Sequence, residues 1–200
     1  MSRKTNQLSV LATLLLLTAC SPRDFLTRRL ATDLILASPE FQAHQRFLLQ
    51  TGIVPSKDYP SPEYLVLQHH GWISATTAPC PRDLTPPPCW DILLTPSGVD
   101  AVRSAMPAQP TNGSVLSVPI AKRELVAVTG IAKQENSADV VFTWRWAALN
   151  EIGAALYSGD LQYKSTVAFR DYDDGWRLVD SSPRVRQSID DALKNAEPIP

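Results

Sequence analysis

From residue 139 onward the chain keeps a two-residue rhythm: Val140, Phe142, Trp144 and Trp146 alternate with Asp139, Val141, Thr143 and Arg145. Successive side chains of a strand point to opposite faces, so this rhythm gathers the large apolar groups on one side of a sheet; a helix would scatter them around its circumference. A second stretch repeats it, with Tyr163, Ser165, Val167 and Phe169 set against Lys164, Thr166, Ala168 and Arg170. Asp174-Gly175 then turns the chain into 176–179, and an Asp-Gly pair between alternating runs is a strong hairpin signal. Residues 125–128 form a short apolar run stopped by Thr129-Gly130, as expected of a strand covered on both faces. Residues 114–200 are therefore expected to form an antiparallel sheet of four or five strands, closed by a helix near 185–195, in a chain of the α+β class.

The half before residue 106 is punctuated for helices. Leu26, Leu30 and Leu34 recur every four residues, with Phe25 and Ile35 beside them, after a start signal at Ser21-Pro22. Ser38-Pro39-Glu40 and Ser61-Pro62-Glu63 are two more starts: serine suits the N-cap, proline the first helical position and glutamate the positive end of the helix dipole. Gly52 and Gly71 are the matching stops, which places helices over 39–51, with His44 inside the first of these, and over 62–70. Residues 90–94 read as a short strand, and Thr95-Pro96 opens another helix to about 104. Residues 106–113 form a linker rich in proline, alanine, asparagine and glycine. The organisation is thus 1–19, 20–105 as a helical part, the linker 106–113, and the sheet part 114–200. The order helix, helix, strand and then Leu94-Thr95-Pro96-Ser97-Gly98 is similar to the back half of a winged-helix unit. Tyr172-Asp173-Asp174-Gly175-Trp176-Arg177-Leu178 is similar to the last hairpin of cystatin-like or nuclear-transport-factor-like sheets. Such sheets often offer a concave face to ligands or partners, and the fold alone does not say which.

Residues 1–19 carry a different signal. Arg3 and Lys4 precede an apolar core from Leu8 to Leu17 interrupted only by Ser9 and Thr13, the make-up of a signal peptide. That core is too short for a transmembrane helix, which needs roughly 20 apolar residues. It ends in Leu17-Thr18-Ala19-Cys20, which resembles the lipobox of bacterial lipoproteins. The resemblance implies cleavage before Cys20 and acylation of its sulfur and its amine with chains such as palmitate; the competing reading is an ordinary secretory signal with a cysteine at its end. Several acyl chains give lasting attachment where one gives a marginal one. By analogy with enteric lipoproteins, where aspartate at the next position retains the protein on the inner membrane, Ser21 favours the outer membrane. The expected location is the bacterial cell envelope, facing the periplasm.

The chain has three cysteines. With Cys20 assigned to lipid, Cys80 and Cys89 remain as an even pair in a compartment that permits disulfides. They frame a loop whose four prolines are Pro81, Pro86, Pro87 and Pro88. A disulfide is one reading; the other is a zinc site that adds His69 and His70, since two thiolates and two imidazoles satisfy tetrahedral zinc.

Of 19 Lys and Arg and 20 Asp and Glu, two basic and no acidic residues fall in 1–19, so 17 face 20 in the mature chain. Without a basic excess or a basic stripe, nucleic acid is not an expected partner. No Gly-x-Ser-x-Gly elbow, His-Glu-x-x-His pair or phosphate-cradling glycine loop occurs, and no cofactor is implied. Asp171, Asp173 and Asp174 lack the regular spacing of a calcium loop and read as turn residues. Two functions of different classes remain. The first is a membrane-anchored, non-catalytic binding or assembly module for a protein or other envelope component, using the Arg82, Asp83, Leu84 loop tip or the strand residues Trp144 and Trp146. The second is a small periplasmic hydrolase or metal-dependent enzyme using His69 and His70.

Overall fold

The computed structural model describes residues 25–55, 59, 61–81, 88–107, 115–157, 159–179 and 188–199. Within them the chain is a mixture of helices and curled, antiparallel sheet. The main sheet has six strands: β1 (Gln45–Gln50), β5 (Val115–Gln134), β6 (Ser137–Ala148), β7 (Gln162–Tyr172) and β8 (Gly175–Leu178) in that spatial order, with β9 (Glu197–Ile199) pairing part of β7. The alternating runs of the sequence are β6 and β7, and Asp173-Asp174 turns β7 into β8. A smaller sheet has β2 (Gly52–Pro55), β4 (Cys89–Leu94) and β3 (Ile73–Ala78), with β4 in the middle.

The helices are short: α1 (Arg28–Ala37), α2 (Pro39–Gln42), α3 (Pro62–His69), α4 (Pro96–Ala105), α5 (Glu151–Leu156) and α6 (Ile189–Lys194). Thr27, Ser38, Thr95, Asn150 and Ser188 each accept a hydrogen bond from a first-turn amide and cap their helices, which satisfies one of the donors a helix start leaves open. Gly71 follows the end of α3 at φ +70 and bonds its amide to the Gln68 carbonyl, the left-handed stop expected of a glycine there.

The sequence-based helix over 39–51 is one turn long. After α2 the chain extends into β1, whose Phe47 and Leu49 are more buried than Arg46 and Leu48, a two-residue rhythm that two leucines in succession conceal. β1 pairs with residues 115–121 of β5 across the linker region, and this long-range ladder overrides the local helix signals. Gly52, at φ +84, is the first residue of β2 and stops no helix. The helix, helix, strand order behind the winged-helix likeness is therefore not the observed one: β1 and β2 separate α2 from α3.

Two apolar cores lie on opposite faces of β5. Around Phe142, Val140, Val167 and Phe169 the main sheet is covered by α1, α2 and α6. Around Leu116, Val118 and Ile120 it packs on the smaller sheet with α3, α4 and α5. β5 is long enough, at 20 residues, to serve both. Its register with β6 shifts between Leu125/Ala127 and between Val128/Gly130, and bulges of this kind bend a strand and raise its twist.

Candidate aromatic site

The register of the main sheet assembles a cluster of rings and one cation at the far end of β6. Arg123 of β5 lies opposite Trp146, Leu125 opposite Trp144, and Trp144 opposite Tyr163 of β7. Trp144 is 2% exposed, stacks on Tyr163 at 4.7 Å and meets Trp146 edge-on at 5.3 Å. Its indole Nε1 donates to Ser165 Oγ at 3.0 Å, and that hydroxyl donates onward to the Ala192 carbonyl at 2.8 Å. Trp144 thus belongs to the core, tying β6 to β7 and β7 to α6.

Trp146 occupies a different position. One neighbour is the Arg123 guanidinium, 4.6 Å from its ring centroid and 5.5 Å from that of Trp144. Arg123 Nη1 donates to the carbonyls of Glu40 and Ala43 at 2.8 and 3.1 Å, which fixes the chain leaving α2 against the sheet. Burial lowers the Arg123 pKa, and the nearby charge of Asp190 opposes that shift. Another neighbour is Tyr157, just past α5, at 6.0 Å. Trp146, Tyr157 and Tyr163, with Leu156, Gly159 and Leu161, line an open pocket of about 200 Å³. Burial raises the Tyr157 phenol, with Tyr163 and Glu63 adding to the effect. Such a pocket matches a ring or a short apolar side chain, with phenol hydroxyls to orient it, and is smaller than the sites that enclose whole metabolites.

The structure contains a disulfide between Cys80 and Cys89, with Cα atoms 5.1 Å apart. It sits two residues beyond the end of β3 and at the first residue of β4, where Ala78 pairs with Cys89. It therefore closes the base of the proline-rich loop. Since the sulfurs are bonded to each other, they do not serve as thiolate ligands to zinc. Arg82, Asp83 and Leu84 at the loop tip, and Cys20 at the lipobox, lie outside the described residues.

His69 and His70 end α3 and are exposed. His70 stacks on Trp72 at 4.6 Å, and His69 meets His70 edge-on at 5.9 Å. Among the described residues no cluster of three His, Cys, Asp or Glu is placed to hold a metal. His44 is also exposed, in the connector between α2 and β1; the sequence had placed it mid-helix. Asp174 ion-pairs with Arg177 across the β7–β8 turn.

Sequence reasoning picked out Trp144 and Trp146 and missed Arg123, Tyr157 and Tyr163 as their companions. The position of Arg123 depends on the register between two strands, and no signal within residues 121–125 reveals it. Among the described residues, helices and antiparallel sheet together present a small aromatic pocket beside Trp146. Compared with family models, curated proteins and solved structures, the chain gives no match.

Proposed function

We propose that this protein is a lipid-anchored component of the bacterial cell envelope, acylated at Cys20, that acts as a non-catalytic binding or assembly module facing the periplasm. The observation that carries this reading is the Cys80–Cys89 disulfide. It fits an oxidising compartment, where the signal sequence ending at Cys20 would deliver the chain. The assignment of Cys20 to lipid and of the other two cysteines to each other leaves no thiol over.

The contact surfaces in this reading are the Trp146 pocket and the loop tip at Arg82, Asp83 and Leu84. A loop closed by a disulfide and filled with proline has little conformational freedom to lose on binding, and aromatic side chains supply contact area at low entropic cost. Ser21 favours the outer membrane. The partner is an envelope protein or cell-wall component.

Two experiments test this. Replacing Cys20 with alanine should abolish fatty-acid incorporation and release the protein from the membrane fraction. A wild type that takes up no fatty acid, together with a variant that still sediments with membranes, would overturn the anchor. Photo-crosslinking probes at Leu161 and at 82–84 should capture a specific envelope partner in living cells, and silence at both would overturn the binding role.

A further inference from the structure

The point at which the chain enters the fold, and the short reach before it, set how the domain stands on a membrane. Leu26 is buried in the core under α1, so the first buried residue among those described is six positions after Cys20. Five peptide steps separate Cys20 from Phe25, and even a fully extended chain covers at most about 3.6 Å per step, or about 18 Å in total. So short a lead keeps the end of the domain that carries Phe25 within about 18 Å of Cys20.

The entry point is at one end of the main sheet. Phe25 lies under the Lys133 ammonium at 5.2 Å, and the same ammonium is 5.2 Å from the Trp176 ring. Lys133 is near the tip of the β5–β6 hairpin, and Trp176 is just past the β7–β8 turn. The two tips touch, since Asp171 donates its amide to the Asn136 carbonyl. This end carries two exposed rings, Phe25 at 60% and Tyr172 at 46%. Arg170 and Arg177 lie 6.0 and 5.5 Å from the Tyr172 ring, and exposed Arg28 and Arg29 form the first turn of α1. Glu135, Asp173 and Asp174 are exposed at the same tips, with Asp174 paired to Arg177, so it is the exposed rings, beside Arg28 and Arg29, that match the composition of a membrane–water interface.

The smaller sheet and the aromatic pocket are at the opposite end. From the Ser137–Arg170 pair to Trp146, β6 advances nine residues, about 30 Å at 3.3 Å per residue. The smaller sheet packs further on, against residues 116–120 of β5.

We propose that the domain stands end-on upon the bilayer, its hairpin tips with Phe25 and Tyr172 resting in the headgroup layer. This orientation holds the Trp146 pocket and the Cys80–Cys89 disulfide out toward the periplasm. It rests on acylation of Cys20 and adds the orientation and the lipid-contacting surface.

The test uses full-length protein, processed in the cell and purified from membranes, in vesicles of phosphatidylethanolamine and phosphatidylglycerol that contain acceptor-labelled headgroups. A donor fluorophore is placed on Gln134→Cys, on Asp173→Cys or on Thr76→Cys of β3, and the mass of the N-terminal peptide is recorded for each. The expected result is acylated Cys20, with energy transfer several-fold stronger from 134 and 173 than from 76. Substituting Phe25→Ser and Tyr172→Ser together should reduce transfer from 134 and 173 and leave the acyl mass unchanged. Acylated protein with equal transfer from the three sites, or strongest transfer from 76, would overturn the orientation alone. An unacylated Cys20 would overturn both the anchor and the orientation built on it.

Discussion

Replacing Gly153 with alanine probes how α5, and with it the pocket, is held. A Cβ at Gly153 would lie 1.8 Å from the Ile120 carbonyl oxygen and 2.8 Å from its carbon, so α5 would have to retreat from β5 by more than an ångström. That retreat strains two hydrogen bonds at the same contact, Leu149 N–H to the Ile120 carbonyl at 3.0 Å and Asn150 Nδ2 to the Pro119 carbonyl at 2.6 Å. Each is worth about 1 kcal/mol, and overpacking adds about 1–3 kcal/mol. Alanine's better helix propensity returns roughly 0.5–1 kcal/mol. The net loss is about 2–4 kcal/mol, which lowers a urea midpoint by about 1–2 M for a slope near 2 kcal/mol/M. Tryptophan fluorescence should change in the folded state as well, because α5 carries Leu156 and is followed by Tyr157 against Trp146. Gly159→Ala is the control: its Cβ would meet nothing within 4 Å, and its midpoint should stay near wild type. A Gly153→Ala midpoint equal to or above wild type would refute the close-approach argument.

Three further outcomes follow from other parts of the molecule. Reducing the Cys80–Cys89 bridge, or replacing both cysteines with serine, opens a ring with a sequence separation of 9; the chain-entropy model gives a loss of about 2.5–3 kcal/mol, measurable by chemical denaturation. Ser165→Ala leaves the Trp144 indole without its acceptor and the Ala192 carbonyl without its donor, a cost of about 1–3 kcal/mol in a buried site; a neutral result in thermal unfolding would contradict the network. The raised Tyr157 phenol contributes stability that is fully present below the ordinary tyrosine pKa near 10. It is lost as pH climbs through the higher folded-state value, because the unfolded chain releases that proton first. Tyr157→Phe should therefore flatten the alkaline decline in stability, and an unchanged pH profile would remove Tyr157 from the cause.

The strands with the clearest rhythm were legible because each buries one face along its whole length: β6 and β7 bring Val140, Phe142, Val167 and Phe169 to one core. Helix starts were legible because capping is a contact within one turn, as Ser38 and Thr95 show with Phe41 and Gly98. β1 was not legible. Its partner lies some 70 residues away, and the Ser-Pro-Glu signal before it starts a helix that ends after one turn. β3 and β9 were missed for a related reason: Ile73–Ala78 carries three hydroxyl residues and Glu197–Ile199 is three residues long, so neither shows a rhythm.

The sequence by itself determined how the chain is punctuated, which cysteines remained to pair, and the expectation that it is exported and lipidated, because these depend on short-range chemistry within a few residues. Tertiary structure alone decided that Trp144 is a core residue and Trp146 a pocket wall. The two share a strand face and differ only in what the register sets beside them: Ser165, Tyr163 and α6 enclose the first, while Arg123 and Tyr157 flank the second. It also decided that Phe25 and Leu26 lie at the hairpin-tip end, since Leu26 packs in one core and Phe25 meets Lys133. A side chain's burial is set by neighbours from distant segments, and periodicity assigns a face to a residue without naming what covers that face.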